Sequence, residues 1–324
     1  MNLEIKDLAG LSEPLKKCIE VISAGLGCVY RPKSIRNDAD AKAYEILAIA
    51  RAEAEAGIIT TNGQAQAQLE YIATITDGHH EILERAKLRL ISREIEAQNN
   101  IEAIAENALN SMPTQVSDEQ VSPNWRRKFF SEAENISDEN MQFLWGKVLA
   151  GEVTKPGSFS LRSLDTLKSL SLGEAETFRL ACGLASEGGE IYLNESRNPS
   201  NPLKEFGLHY GALMTLTDAG LLHSPSTVYR HFTDIQDNAP SWFIQNNGVN
   251  LLVSGLPLKH VRLPLLAFTA TGRELMKLIP QNPCEAYLKD ISSHLRKRHG
   301  VSVKLGKETK QNDGSITISF DEDF

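Results

Sequence analysis

The chain is poor in aromatic residues, cysteines and long apolar runs. Aromatic residues make up 6% of the 324 residues, and the four cysteines, Cys18, Cys28, Cys182 and Cys284, are widely scattered. Without CxxC pairs or paired cysteine and histidine spacings, the sequence predicts neither a zinc site nor a disulfide framework. No apolar run of about 18 residues and no secretory signal are visible, so we expect a cytoplasmic protein with reduced thiols.

Motifs that carry known chemistries are missing as well. The sequence contains no GxSxG, phosphate-binding loop, Rossmann glycine signature or HExxH. His80 and Glu84 are spaced to face one metal on a helix, but further ligands are not apparent, so a surface or interhelix role for His79-His80 is favoured. We therefore expect no enzyme, no cofactor and no metal, with a metal-dependent nuclease as the remaining enzymatic alternative.

The charge balance is acidic. The formal net charge is −8, with 41% hydrophobic and 23% charged residues. A chain of this length and composition is sufficient for two or three domains, each with its own hydrophobic core. It is not suited to coating nucleic acid, although a local basic patch could still bind it.

Periodicity predicts a mainly α chain in four parts. Residues 1–112 are expected to form long helices for self-association, and residues 118–188 a central helical bundle, with a linker over residues 112–118. Residues 189–280 are expected to form an α+β, winged-helix-like domain. Residues 281–324 contain a basic helix, a hairpin and an acidic tail.

The first predicted helix is the main candidate for oligomerisation. Ser12 is a suitable N-cap with Pro14 in the first turn. Gly25 and Gly27 would weaken the end of this helix and permit the close approach of another backbone. An amphipathic helix here could instead contact a membrane over residues 12–30, making the protein peripheral to the membrane. The proposed contact residues share one helical face: Leu15, Ile19, Ile22 and Leu26.

The next stretch also indicates assembly. An alanine-rich helix is predicted over residues 37–57, and residues 64–110 carry a thin apolar stripe with kinks at Asp77-Gly78 and Asn99-Asn100. Long helices with thin stripes usually bury them in other helices, often in another copy of the chain. The sequence therefore predicts a homo-oligomer.

Four helices are predicted for the central bundle, over residues 125–134, 137–151, 158–172 and 173–186. Ser137 is the expected cap of the second helix. The expected core is rich in large apolar residues: Trp125, Phe129, Phe130, Met141, Phe143, Leu144, Trp145, Val148 and Leu149.

After residue 189 the pattern changes to short strands. Strands are predicted over residues 191–193, 227–232, 242–245, 249–253 and 265–269, with a turn at Asn246-Asn247-Gly248, and a last hairpin pairs residues 301–304 with 315–320. Residues 224–232 also resemble the recognition helix of tetracycline-repressor-type regulators. The alternation of Val228, Arg230 and Phe232 favours a strand.

Two stretches are typical of winged-helix proteins: Ala219-Gly220-Leu221-Leu222 at a helix end, and Phe268 to Leu275 after a strand. Such folds bind DNA or only protein. The basic helix over residues 285–299 offers Arg296, Lys297 and Arg298 as nucleic-acid contacts, opposite a buried face of Leu288, Ile291 and Leu295. A solvated or intramolecular basic face is favoured.

Two stretches resemble a bacterial family that carries a domain of unknown function. One contains Glu13 to Glu20, Tyr30-Arg31-Pro32 and Ala50 to Ala56. The other runs from Asn124 to Phe130, through Leu144 to Glu152, to Pro156–Arg162. The resemblance implies an intracellular bacterial protein related to those on mobile and phage-defence islands, and it implies no catalytic residues.

Together these features predict a non-enzymatic, self-assembling interaction protein. It would act by oligomerisation as a phage-defence or stress effector, at the membrane or on a protein ligand. The alternative is a nucleic-acid-binding regulator that uses the winged-helix-like region.

Overall fold

The computed structural model describes residues 11–28, 30–32, 79–224, 228–231, 241–246, 248–254, 261–280, 282–310 and 316–321. The chain divides into two compact units, residues 1–159 and 160–324. The described residues contain nine α-helices and two small antiparallel sheets, so the fold is a helix-rich α+β arrangement. The finer division into four parts stays a prediction, and so does the helix over residues 37–57, which lies outside the described residues.

The first unit is helical. It contains α1 (Glu13–Leu26), α2 (His79–Asn110), α3 (Pro123–Ala133) and α4 (Glu139–Thr154). Its centre is an aromatic cluster in which Phe129 stacks on Trp125 at 4.9 Å between ring centroids and contacts Trp145 at 5.2 Å. The predicted core is confirmed at these positions, but Phe143 is 46% exposed because it lies on the outer face of α4.

Close packing of α2 on α4 depends on one glycine. A Cβ at Gly146 would lie 2.5 Å from the Cβ of Asn107 and 2.9 Å from the backbone nitrogen of Ala108. α2 continues through Asn99 and Asn100 without a break, so these residues do not end the helix. The Asn100 side chain instead donates to the Glu134 carbonyl at 2.9 Å.

The residues that precede α1 and α4 differ in whether their side chains cap the helix. Ser12 precedes α1 as predicted, but its side chain accepts no capping hydrogen bond. The cap of α4 is Asp138, which accepts from the Met141 backbone at 2.9 Å, so the prediction of Ser137 was wrong by one residue. The group that lies close to Gly25 is a side chain and not the predicted backbone, because a Cβ there would lie 2.2 Å from the Phe130 ring.

The segment predicted as a linker is tied to the helices around it. The Lys17 ammonium donates to the carbonyls of Ser117 and Glu119, the latter at 2.7 Å. The Ser117 backbone nitrogen donates to the Thr154 carbonyl at 2.8 Å. These bonds hold the segment between α1 and the end of α4.

The turn after α4 is organised by a buried carboxylate. Glu152 accepts hydrogen bonds from the backbone nitrogens of Gly157 at 2.8 Å and Phe159 at 3.0 Å. The Phe159 carbonyl accepts from the Trp125 indole at 2.8 Å. The residues that carry the family resemblance here therefore build the core and its closing turn.

The second unit combines helices and strands. Its helices are α5 (Leu161–Ser169), α6 (Leu172–Leu184), α7 (Tyr210–Asp218), α8 (Ala270–Met276) and α9 (Glu285–His299), with a short 3-10 turn at Lys204–Phe206. Its strands are β1 (Glu190–Tyr192), β2 (Val228–His231), β3 (Ser241–Asn246), β4 (Val249–Ser254), β5 (Arg262–Ala267), β6 (Ser302–Lys310) and β7 (Ile316–Asp321).

The first sheet has the order β1-β5-β2. Tyr192 and Val228 both face Leu265 of the central strand in register. Within the segment predicted as either a strand or a recognition helix, residues 228–231 form the strand β2, and residues 225–227 and 232 lie outside the described residues. Gly220, at φ 71°, turns the chain after α7, where the helix stop was predicted.

The second sheet has the order β3-β4-β6-β7. β3 and β4 form the predicted hairpin, with Asn246 opposite Val249 and Gly248 at φ 78°. α9 packs on β6 with Leu288, Ile291 and Leu295 buried, as predicted. The pairing of β4 with β6 was not predicted, because these strands are distant in sequence.

Candidate functional site

The three basic residues predicted to contact nucleic acid, Arg296, Lys297 and Arg298, lie in the last turn of α9, and all are exposed. Two of them are engaged within the second unit. Arg296 Nη2 donates to the Val303 carbonyl at 2.5 Å, and Arg298 Nη2 pairs with Glu195 Oε2 at 2.7 Å. Lys297 lies between them. The intramolecular alternative therefore accounts for two of the three side chains.

Arg298 belongs to a longer row of polar contacts, which we call the α9 seam. It joins Tyr287, Asp290, His294 and Arg298 of α9 to residues 192–198. The row begins where the Tyr287 hydroxyl donates to the Tyr192 carbonyl at 3.0 Å. One turn later, Asp290 accepts from Asn194 at 3.1 Å. Residues three or four apart share a helix face, so one side of α9 holds the whole segment.

Arg197 is the centre of the α9 seam. Its Nε and Nη2 atoms donate to the two carboxylate oxygens of Asp290 at 3.0 and 2.8 Å, and Nη1 pairs with Glu205 at 2.5 Å. The Asp290 and Glu205 hydrogen bonds raise the pKa of Arg197 further above its usual range. The guanidinium also lies 5.1 Å from the Phe206 ring centroid. Its donors are thus directed to its own chain.

A cavity of about 370 Å³ opens beside this arginine. It is lined by Ser196, Arg197, Asn198, Asn201, Lys204 and Glu205. Since Arg197 is already paired with two carboxylates, the cavity has little net positive charge. The geometry therefore favours a structural role for Arg197 over anion binding.

Two histidines lie together at the end of the α9 seam. His294 is 3% exposed, its Nδ1 lies 3.4 Å from the Ser196 hydroxyl, and its ring meets His299 edge-on at 6.1 Å. Within the described residues, neither Nε2 atom has a hydrogen-bond partner. The pKa of each imidazole is lowered, first by burial and then by the nearby Arg298 charge. Both shifts favour the neutral form of the ring.

A second polar cluster lies on the first sheet. The Tyr192 hydroxyl donates to Glu190 at 2.5 Å, and Arg230 pairs with the same carboxylate at 2.5 Å. Burial, followed by the Glu190 interactions, raises the pKa of Tyr192. The phenol stays protonated near neutral pH, so this cluster joins β1 to β2 and does not supply a nucleophile.

The cysteines give no reactive thiol in the core. Burial raises the pKa of the Cys18 thiol to about 12, and it raises that of Cys182 as well. The described residues contain no group of three or more His, Cys, Asp or Glu side chains placed to hold a metal ion. The side chains of His79 and His80 lie outside the described residues.

The four residues proposed for oligomerisation differ in exposure. Ile19 is 1% and Ile22 0% exposed, because α1 packs on α2, α3 and α4 of the same unit. Leu15 and Leu26 are half-buried. Their role in oligomerisation stays a prediction.

Large apolar side chains are exposed on the first half of α2, and two of them, Leu88 and Ile95, lie on one face of the helix. Four of its large apolar side chains are well exposed: Ile82 54%, Leu83 41%, Leu88 64% and Ile95 39%. The second half of the same helix is buried, with Ile104 at 1% and Ala108 at 0%.

The sequence predicted a contact role for Arg298, but it did not predict the residues that α9 contacts in the segment 192–198. Residues 194–201 are polar and irregular, so neither helical nor strand periodicity marks Asn194, Ser196 or Arg197. The signal that was available is the polar face of α9 itself, where Asp290, His294 and Arg298 recur every four residues.

No helix in the described ranges is long and apolar enough to cross a membrane. Searches of curated proteins and of solved structures found no match to this chain. One family model matches residues 84–292, from the first half of α2 into α9. The match includes the second of the two stretches that carried the resemblance, and it covers more than half of the chain. The chain therefore belongs to the family described as protein of unknown function (DUF2806).

Proposed function

We propose that the protein is a non-enzymatic interaction protein that self-associates through the first half of α2. The observation that carries this proposal is the exposure of Leu88 at 64% and Ile95 at 39%, which share one face of α2 with the half-buried Ile91. Exposed apolar side chains grouped in this way mark interaction surfaces in soluble proteins. Leu88, Ile91 and Ile95 are three and four residues apart, the spacing by which helices pair.

A second copy of the chain is the occupant that we propose for this surface. The helix carries basic residues, Lys87, Arg89 and Arg93, beside acidic ones, Glu94 and Glu96, so a paired helix could match opposite charges at the edges of the apolar contact. Ile19 and Ile22 are buried in the core of the first unit, whereas Leu15 and Leu26 are nearer to solvent.

The test is the mass of the particle in solution. Light scattering after size-exclusion chromatography at micromolar concentration should give a multiple of 35.8 kDa. Leu88→Glu with Ile95→Glu should reduce it to the monomer, because two carboxylates would be buried in an apolar contact. Arg162→Glu changes the net charge by the same amount at an exposed residue outside this surface and should leave the mass unchanged.

Two results would overturn the proposal. One is a wild-type monomer across the micromolar range, in which case residues of the same chain cover the apolar surface. The other is an oligomer that the double substitution does not affect.

A second candidate function is nucleic-acid binding by the second unit. It is supported by the succession α6, β1, α7, β2 and β5, in which the hairpin β3-β4 is inserted between β2 and β5, and by the central position of β5 in the sheet β1-β5-β2. This is the arrangement expected of a winged helix, with α7 as the recognition helix. The described exposed residues of α7, Tyr210, Gly211 and Asp218, add no positive charge, which favours a protein ligand.

Fluorescence anisotropy with duplex DNA at low salt tests the second candidate. Binding should weaken steeply with salt and should fall when Arg296, Lys297 and Arg298 become alanine. Lys277→Ala, which removes one exposed lysine from the end of α8, is the control. An unchanged signal at low salt excludes this function.

A phage-defence or stress-effector role and membrane contact over residues 12–30 are further proposals. Phage plating on cells with and without the gene tests the first, and dye leakage from anionic liposomes tests the second. Leakage would require Ile19 and Ile22 to leave the core of the first unit.

A further inference from the structure

Protonation of His294 and His299 would destabilise the contacts of the α9 seam. Their rings are 6.1 Å apart, and both Nε2 atoms are buried without a partner among the described residues. A second proton on either ring would put a cation and an unsatisfied donor in a site that provides no acceptor for Nε2. The two charges would also repel each other and the Arg298 guanidinium.

The charged groups around His294 come from both sides of the α9 seam. On α9 they are Asp290, Arg298 and His299, and on the opposing segment Glu195 is the charged neighbour. Asp290 is already paired with Arg197, and Glu195 with Arg298. The two carboxylates therefore favour the charged ring, but burial and Arg298 outweigh them, and the pKa of His294 is lowered.

The segment held by the α9 seam is followed by residues 199–209, which lead into α7. The Asn201 side chain accepts from the backbone nitrogen of Tyr210 at 2.7 Å, and His209 Nδ1 caps α7 by accepting from Ala212 at 3.1 Å. Release of residues 193–198 from α9 would loosen the start of α7, the helix that a winged-helix domain presents to its ligand.

We propose that the α9 seam is a proton-sensitive latch. Mild acidification charges His294 and His299, separates residues 193–198 from α9 and frees the segment that ends at α7. The open form exposes both imidazoles to water, where they bind protons more readily than in the closed form. Acid therefore shifts the population towards the open form.

Hydrogen–deuterium exchange of the full chain tests this proposal. After correction for the intrinsic pH dependence of exchange, peptides covering residues 193–198 should lose protection roughly tenfold or more between pH 7.5 and 5.5, because each histidine contributes up to about tenfold per pH unit. Peptides from α4 should keep their protection. Carboxylates with ordinary pKa values stay ionised over this range.

Two variants separate the latch from general effects of acid. His294→Gln with His299→Gln cannot gain a charge, so the loss of protection at residues 193–198 should disappear. His223→Gln removes an exposed histidine of the same unit and should behave as the wild type. A double variant that keeps the full pH response overturns the proposal.

The wild type alone decides the question if the double variant does not fold. Loss of protection confined to residues 193–198 and the end of α9 supports the latch, because these residues exclude the α7 cap that another histidine, His209, forms. Unchanged protection at pH 5.5 overturns it, and so does equal loss throughout the second unit, because acid would then unfold the unit as a whole.

Discussion

α2 and α9 are both amphipathic helices, but they leave different surfaces outside the core. The second half of α2 is buried against α4, whereas its first half exposes Leu88 and other large apolar side chains. α9 buries its apolar stripe on β6 and engages polar positions with residues 192–198. An amphipathic pattern therefore predicts which residues need a partner, while the tertiary structure decides whether the same chain supplies it.

The largest difference in stability is expected between substitutions in the two halves of α2. Ile104→Ala removes a buried side chain that contacts the core of the first unit, and it should lower the free energy of unfolding by about 2–5 kcal/mol. Leu88→Ala, in the exposed half, should change it by no more than about 0.5 kcal/mol. Urea unfolding of dilute protein measures both. Equal losses would show that the first half of α2 is covered within the chain.

The next effect concerns the glycine that lets α2 and α4 approach. Gly146→Leu would place side-chain atoms into the backbone of α2 near Ala108, and should cost about 3 kcal/mol in unfolding free energy. Gly173→Ala, at a helical position with open space around it, should be neutral or stabilising by up to about 1 kcal/mol. If thermal unfolding shows no loss of stability for Gly146→Leu, then α2 and α4 can move apart to accept a side chain, and their close approach is not required for stability.

A smaller effect is expected in the α9 seam. Asp290→Ala removes both hydrogen bonds from Arg197 and the bond from Asn194, and should destabilise the protein by about 2 kcal/mol. Glu205 pairs with the same arginine, but its side chain is 71% exposed, so Glu205→Ala should cost less than about 1 kcal/mol. Denaturant titration that ranks the two carboxylates in the opposite order would contradict this interpretation of the seam.

The smallest effect is the contribution of His294 to the pH dependence of stability. Its pKa is lowered in the folded chain from an ordinary value of 6.5, chiefly by burial, so the unfolded chain binds the proton more readily. The stability is then fully present above pH 6.5 and declines as the pH falls towards the lower folded pKa, by at most about 1.4 kcal/mol per pH unit for one histidine.

This pH effect is measured as a difference between variants. The free energy of unfolding of His294→Gln should fall less than that of the wild type between pH 7.5 and 5.5. His223→Gln should follow the wild type. The opposite result would be a wild type that gains stability relative to His294→Gln as the pH falls. It would show that the Asp290 and Glu195 charges stabilise the protonated His294 ring more than burial and Arg298 destabilise it.

Much of the local structure could be predicted from the sequence. The α9 bounds and its buried face, the turn at Gly248 and the strand nature of β2 follow from short-range patterns: capping, φ preference and alternation. Phe143 was misassigned because its size suggested burial, while its position on α4 points it outward. The α9 seam and the pairing of β4 with β6 could not be predicted, because both join segments far apart in sequence.

The interleaved strands of the second unit also affect the order in which it can form during synthesis. β3 and β4 lie in the chain between β2 and β5, yet the partner of β4 across the second sheet is β6, about fifty residues later. A growing chain can close the sheet β1-β5-β2 once β5 is made, while one edge of β4 still has free backbone donors and acceptors. Until the ribosome has released β6, that edge is open to pairing with other chains.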